Sequence, residues 1–339
     1  MISFQLPKPS SKIRSDLLTT ADGGTLRMDW IEHKQGHMCD DESPAILVFP
    51  PVGTCSVERG FSASMFHSFC DFPRPCRIAH ICYQGLGGVP LSSSRLPGTC
   101  YCGTDDVGHV LQHVHTKYPN APILVVCSSV GSAYFTRWIG SHPEKCTELN
   151  VIGAVACAHG YSSAMTTEAG DSVFYGLAGK RVIKFWREQL HRDSLPYLEA
   201  LEVKNNLFRV SALLSAQSAH DWDVAVLPLY GYSSMKEMLE HCDAVHVLPN
   251  IPIPILFVNA DDDPVCPSSR MIHFEIWNRN PLLMVLATSH GGHLGWHDGA
   301  YFSSQALWIK CVACEFFEAV LKEGREQPRR TGPRTPAHT

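Results

Sequence analysis

Short apolar runs alternate with amphipathic stretches along much of the chain. Thr25–Trp30 alternates apolar and polar after the Asp22-Gly23-Gly24 turn, as the second strand of an N-terminal hairpin with one buried face would. Ala45–Phe49 is continuously apolar, the pattern of a central parallel strand covered on both faces. Arg77–Tyr83, Ile123–Cys127, Val151–Cys157, Ile253–Asn259 and Leu282–Leu286 read as further strands. Between them the spacing predicts helices over Asp105–Lys117 and Ser132–Ile139, around Met271–Trp277 and over about 300–322. Asp105 and Asp106 open the first of these and Lys117 closes it, as the helix dipole favours.

The alternation breaks between about 159 and 250. That stretch carries helical segments, Lys180–Leu190 and Leu195–Leu214, and no clear parallel strand. Strand–helix alternation predicts a doubly wound, mostly parallel sheet, and the helical interruption predicts a cap over its carboxyl edge, where open α/β sheets bind ligands. The expected organisation is an N-terminal segment 1–21, one domain over 22–322 with the cap inserted at about 159–250, and a basic, proline-containing tail 323–339 without fixed structure.

Composition narrows the function. Of 339 residues 45% are hydrophobic and 18% charged, enough to build a large core, and the net charge of −5 gives no reason to expect nucleic acid as a partner. The N-terminus lacks the apolar core of a signal peptide, and no run approaches the roughly 18 apolar residues that span a bilayer. A cytoplasmic protein is expected, with peripheral membrane contact left open and no protein partner predicted. The 14 cysteines fall mostly inside strand and helix patterns, which predicts buried free thiols in a reducing compartment. Cys311 and Cys314, at i and i+3 in the last helix, are read as core packing rather than as metal ligands. His109, His113 and His115 are read as a solvated helix face, and no metal or organic cofactor is expected.

The chemistry begins at Cys127-Ser128-Ser129-Val130-Gly131, where an apolar strand ends in small residues and a helix follows at once. A strand–turn–helix of this kind presents Ser129 at its apex and aims the Val130 N–H at the same point. Asp261, Asp262 and Asp263 follow the strand ending at Asn259, and Asp263, beside Pro264, is best placed to orient a histidine. Thr288–Trp296 is a glycine-rich loop after the last strand. His293 is the preferred base, with His290 and then His297 behind it. The order Ser…Asp…His along alternating strands is that of an acyl-transferring triad on an α/β sheet. The loop after Phe49 offers the Val52 N–H as partner to Val130 in an oxyanion hole, since Pro51 has none. His293–Asp298 also matches an H-x4-D acyltransferase pattern, and Gln84–Gly88 partly resembles a phosphate loop but reads as a flexible turn.

Phe49–Thr54, Gln84–Gly88, Gly103–Val107, Tyr118–Pro122, Ser129–Gly131, Asp262–Pro264 and Gly291–Gly295, in this order, resemble the AB-hydrolase-4 branch of the α/β-hydrolase superfamily. That branch holds abhydrolase-domain proteins of types one, two and three and bacterial YheT-like esterases. The resemblance runs from about Asp22 to Leu321. It implies an α/β-hydrolase fold and a serine carboxylesterase or lipase acting on acyl lipids or smaller esters, with Ser129 as nucleophile, Asp263 as orienting acid and His293 as base. Cys127, Pro51, Gln84 and Ser132 depart from the branch, which usually has Gly, Gly, Arg and Gly there. The departures at Cys127 and Pro51 motivate an alternative, a catalytically silent lipid-binding or scaffold protein on the same fold. An acyltransferase using the same acyl-enzyme is a further alternative.

Overall fold

A computed structural model describes residues 13–32, 39–51, 57, 60–96, 104–160, 173–268, 275, 278–296 and 308–326. The strands are β1 (Arg14–Thr19), β2 (Thr25–Glu32), β3 (Ala45–Phe49), β4 (Arg77–Cys82), β5 (Ile123–Ser128), β6 (Val151–Cys157), β7 (Ile255–Ala260) and β8 (Leu283–Thr288). The helices are α1 (Gly60–Ser68), α2 (Thr104–Lys117), α3 (Val130–Ser141), α4 (Pro143–Glu148), α5 (Val173–Lys204), α6 (Val210–Ser215), α7 (Ala219–Tyr230), α8 (Met235–Cys242) and α9 (Trp308–Glu326).

The strands form one sheet in the order β1-β2-β4-β3-β5-β6-β7-β8. It is parallel from β4 to β8, while β1, β2 and β4 pair antiparallel. This is the doubly wound, mostly parallel α/β-hydrolase sheet. Alternate residues of each inner strand enter different layers. Ile123, Val125 and Cys127 join one core with residues of α2 and α3, whereas Leu124 and Val126 join the other with Ile309, Ala313 and Phe317 of α9. Burial on both faces is why these strands read as continuous apolar runs. The chain leaves β3 for β4 on one side and returns to β5 on the other. That reversal opens a crevice at the carboxyl edge, into which the ends of β5, β7 and β8 point.

Several elements differ from the sequence expectations. The hairpin's first strand, Arg14–Thr19, lies inside the segment 1–21 expected to precede the domain, because it pairs residue for residue with β2. The last helix runs through Glu326 rather than ending near 322. The helix expected at Lys180–Leu190 and the first half of that expected at Leu195–Leu214 are one helix, α5, that continues through Pro196, and the second half is the separate α6. A helical proline costs about 3 kcal/mol, and the buried side chains on both sides of it, Trp186, Leu190, Leu198 and Leu201, offset that. The break comes instead at Asn205, whose Oδ1 accepts the Leu207 N–H at 3.1 Å and whose Nδ2 donates to the Pro228 carbonyl at 2.8 Å. The expected helix near Met271–Trp277 falls largely outside the described residues.

The helices between β6 and β7 share the α2/α3-side core: Trp186 of α5 packs on Trp222 of α7 with ring centroids 5.1 Å apart. Ser218 and Asp221 form a capping box at the start of α7. On α2 the histidines do not form a solvated face. His109 Nε2 accepts the Ala21 N–H at 3.2 Å, and His113 sits beside Asp16, which Lys117 also bonds, so the helix holds the hairpin. Cys311 is exposed and Cys314 half-buried. The buried positions of α9 are Ile309, Ala313, Phe317 and Leu321, a stripe that leaves Cys311 on the solvent side. Eight of the other described cysteines are buried. Among the described residues no helix is long and apolar enough to cross a membrane.

Candidate active site

The turn from β5 into α3 holds Ser129 at φ 50°, ψ −123°, a strained backbone for a residue with a Cβ. Neighbours enforce it. The Ser129 N–H donates to the Cys157 carbonyl of β6 at 2.8 Å. Gly131 follows because a Cβ there would lie 2.5 Å from the Pro50 carbonyl oxygen and 2.9 Å from that of Phe49. Cys127, where the resemblance has glycine, is fully buried with its Sγ turned toward β6, 3.6 Å from the Val155 carbonyl. Its thiol therefore faces the sheet core and not the mouth of the crevice.

Asp263 follows β7. Its Oδ1 accepts the N–H groups of Val265 at 2.7 Å and Cys266 at 3.0 Å, which fixes the carboxylate. Burial works to raise its pKa, but the hydrogen bond and charge of His293 and the two N–H groups outweigh burial. The carboxyl is held below the ordinary carboxylate range. His293 Nδ1 lies 2.9 Å from Asp263 Oδ2, and its Nε2 lies 3.0 Å from Ser129 Oγ. The structure thus brings Ser129, Asp263 and His293 into one hydrogen-bonded chain. In such a chain Nδ1–H donates to the carboxylate, leaving the Nε2 lone pair to accept the serine proton.

The loop that presents His293 is closed by the Gly295 N–H donating to Gly291 O at 2.7 Å. Gly291 has φ 156°, and a Cβ there would collide with the Trp296 indole. That indole donates to Thr288 Oγ1 at 3.0 Å. Asp261 and Asp262 are exposed, as expected of turn residues, and both are bonded: Asp261 accepts from Ser268, and Asp262 Oδ1 accepts the Gly292 N–H at 2.7 Å. His290 is 88% exposed beside Asp262 and stands outside the chain of three. His297, Asp298 and Val52 lie outside the described residues. Val130 opens α3, so its N–H is among the first four of the helix, which have no acceptor within it.

A buried polar strap beneath these groups escaped the sequence reading. The Ser132 hydroxyl donates to the Ser129 carbonyl. His159 Nδ1 lies 2.9 Å from Ser132 Oγ, and since that hydroxyl is already donating, Nδ1–H is the donor here. Burial pushes His159 down to about 3, so its ring is neutral. Asn259 Nδ2 donates to the carbonyls of His159 and Cys266, each at 3.1 Å. Ser132, His159 and Asn259 therefore tie the Ser129 turn to the loop of Asp263. The signals were Ser132 in a glycine position and polar residues at the carboxyl ends of β6 and β7.

Gln84–Gly88 is an ordered turn, with Gln84 buried and donating to Ser93 Oγ at 2.7 Å. An open groove of about 560 Å³ beside α2 and α3, lined by Asp22, Arg95, His109, Trp138 and His142 among others, includes none of the three residues of the chain. Two groups of described residues carry donors suited to a metal ion, each with donor atoms within 4.8 Å of one another: Asp29, His80 and Cys82, and Asp263, Cys266 and His293.

Several proteins to which the chain is similar are named as hydrolases. Phospholipase ABHD3 of Homo sapiens is 25% identical over 326 residues, 95% of this chain and 76% of its own length. Monoacylglycerol lipase ABHD2 of Mus musculus is 25% identical over 325 residues, 91% and 73% of the two lengths. Among solved structures, Est1E from Butyrivibrio proteoclasticus with ferulic acid bound has a TM-score of 0.56 at 10% identity, covering 90% of this chain and 98% of that one. The Pyrococcus furiosus esterase Pf2001 has a TM-score of 0.55 at 11% identity, covering 93% and 92%. These two likenesses establish the fold. The family model Hydrolase_4, serine aminopeptidase S33, matches residues 102–275, just over half of the chain and including Ser129 and Asp263. The chain therefore belongs to this family, as a serine hydrolase of the α/β-hydrolase fold.

Proposed function

We propose that the protein hydrolyses carboxylic esters of acyl lipids through Ser129, His293 and Asp263. The observation that carries this reading is the chain Ser129 Oγ–His293 Nε2 at 3.0 Å and His293 Nδ1–Asp263 Oδ2 at 2.9 Å, set on a positive-φ elbow. Ser129 attacks the ester carbonyl while His293 takes its proton. The oxyanion is met by the Val130 N–H and, from the loop after β3, by that of Val52. His293 then protonates the leaving alcohol, and water activated by the same ring releases the acid. Asp263 holds the ring in the tautomer that leaves Nε2 free.

The names of the relatives, a phospholipase and a monoacylglycerol lipase, support a lipid ester as substrate. So does the segment between β6 and β7, which we read as the substrate cap. Four of the six large apolar side chains exposed among the described residues, Phe185, Val203, Leu207 and Val224, lie on it. They suit contact with a lipid phase.

The test is labelling with a fluorophosphonate probe, wild type beside Ser129→Ala, followed by a panel of esters of increasing chain length. Wild type labels and turns over lipid esters, and Ser129→Ala does neither. Folded wild type that binds a fatty acid but neither labels nor turns over would make the protein a silent lipid binder. Turnover only in the presence of an acceptor alcohol would make it an acyltransferase.

A further inference from the structure

One group of the site has no part in the hydrolytic steps. Cys266 lies three residues after Asp263, is 2% exposed, and its Sγ stands within 4.8 Å of an Asp263 carboxylate oxygen and of a His293 ring nitrogen. The ring nitrogen facing that carboxylate is Nδ1. A carboxylate oxygen, an imidazole nitrogen and a thiol converging at this range are the donors that zinc takes, at about 2.0–2.2, 2.0–2.1 and 2.3 Å. The carboxylate is already oriented by the Val265 and Cys266 N–H groups, the kind of outer support that metal ligands carry. The ring edge is reachable, since the His293 side chain is 24% exposed.

The second group of the same composition shows what separates a structural cluster from an available one. At Asp29, His80 and Cys82 a cation is already seated: Arg27 bonds Asp29 through Nε at 2.9 Å and Nη2 at 3.0 Å, and Nη2 also reaches Cys82 Sγ at 3.3 Å. At Asp263 the bonded donors are two backbone N–H groups and the imidazole.

We infer that Asp263, Cys266 and His293 form a binding site for a thiophilic divalent cation of the Zn²⁺ class, and that its occupation switches the hydrolase off. The switching rests on the hydrolytic reading given above. Binding forms metal–sulfur, metal–nitrogen and metal–oxygen bonds. The Cys266 S–H proton leaves to solvent, the single proton of the neutral His293 ring passes from Nδ1 to Nε2 by exchange with solvent, and nothing is oxidised or reduced. A metal on Nδ1 holds that single ring proton on Nε2. That nitrogen then donates to Ser129 Oγ and has no lone pair to accept the serine proton. The cation thus imposes the opposite tautomer to the one that catalysis needs, without touching Ser129.

The experiment uses the full chain, stripped of metal, with the exposed thiol removed by Cys311→Ser. Co²⁺ addition is followed by thiolate-to-metal charge-transfer absorption, and Zn²⁺ affinity by competition with a chromophoric chelator. Fluorophosphonate labelling is read beside both, normalised to each protein's own metal-free rate. Relative to this parent, Cys266→Ala loses one Zn²⁺ equivalent and the corresponding cobalt–thiolate absorption. It needs at least tenfold more Zn²⁺ for half-blocked labelling. Cys266→Ser, which keeps the shape, behaves in the same direction. EDTA restores labelling, and Mg²⁺ does not block it. Equal metal stoichiometry and equal Zn²⁺ sensitivity in parent and variants would overturn the site. Metal-free parent that fails to label would strike the hydrolytic reading alone, because the cobalt absorption still reports whether the three residues bind.

Discussion

The two Asp–His–Cys groups use the same three side-chain types at the same range, and the fold makes opposite things of them. The first is built on the antiparallel ladder of β2 and β4. The register sets Asp29 opposite His80, with Cys82 two residues on and on the same face. Ser15 from β1 adds a hydroxyl to Asp29 at 2.6 Å and Arg27 clamps it from the side, so every position is fixed by strand pairing. Asp29, His80 and Cys82 are each at most 2% exposed. The second group stands on loops beyond β7 and β8, with one face of His293 open to the crevice. Pairing within the sheet closes a polar cluster and makes it structural. Placement past the strand ends leaves one member free to exchange a proton, which acid–base chemistry requires.

The widest separation is expected from removing one carboxylate charge at each place. Asp263→Asn keeps the shape but takes away the group that selects the His293 tautomer, and its kcat falls by about 10^4-fold with the melting temperature little changed. Asp29→Asn leaves the chemistry in place and weakens the fold. Steady-state kinetics and thermal melts on both variants check this. Equal loss of activity in the two would break the comparison.

Next comes Arg27→Met. With Asp29 buried, removal of its cation leaves an uncompensated charge, and the fold loses about 3 kcal/mol in urea unfolding. The partial exposure of Arg27 keeps the loss at the lower end of that range. Metal-free fluorophosphonate labelling of the folded fraction stays near wild type, since the nearest of the proposed catalytic groups, Ser129 beyond β5, lies across the sheet order from β2.

The smallest effect belongs to the strap beneath the elbow. The folded chain holds His159 at about 3, below the ordinary imidazole value of 6.5. The unfolded chain therefore binds a proton that the folded one refuses, and stability falls as pH drops from about 6.5 toward 3. Between pH 7 and pH 5 the loss is about 2 kcal/mol. His159→Asn keeps an N–H for Ser132 and has no such proton to take up, so its urea midpoint should fall less over that interval. An unchanged slope would remove His159 from the account.

Much of the fold was legible because parallel strands buried on both faces must be apolar throughout. Ala45–Phe49 and Val151–Cys157 have the limits read from the pattern alone. The region between β6 and β7 was less legible. There the pattern reads as two helices, Lys180–Leu190 and Leu195–Leu214, yet α5 runs through the gap between them and through Pro196, because residues on both sides bury against the same core. The α2 histidines misled for a related reason. A polar helix face reads as solvated, and nothing local tells that Ala21 and Asp16 of the hairpin will cover it.

By itself the sequence determined the strand–helix alternation, the three loops that carry Ser129, Asp263 and His293, and the glycines those loops require. These are local consequences of periodicity and backbone freedom. Tertiary structure decided which of several neighbouring aspartates and histidines meet. Asp263 rather than Asp261 or Asp262 faces His293, and His290 is left in solvent. It also decided that Ser132, His159 and Asn259 form one strap, and that Cys266 stands against the same carboxylate. Those meetings join residues up to 164 positions apart. The sheet order sets them, by bringing the ends of β5, β6, β7 and β8 to one edge.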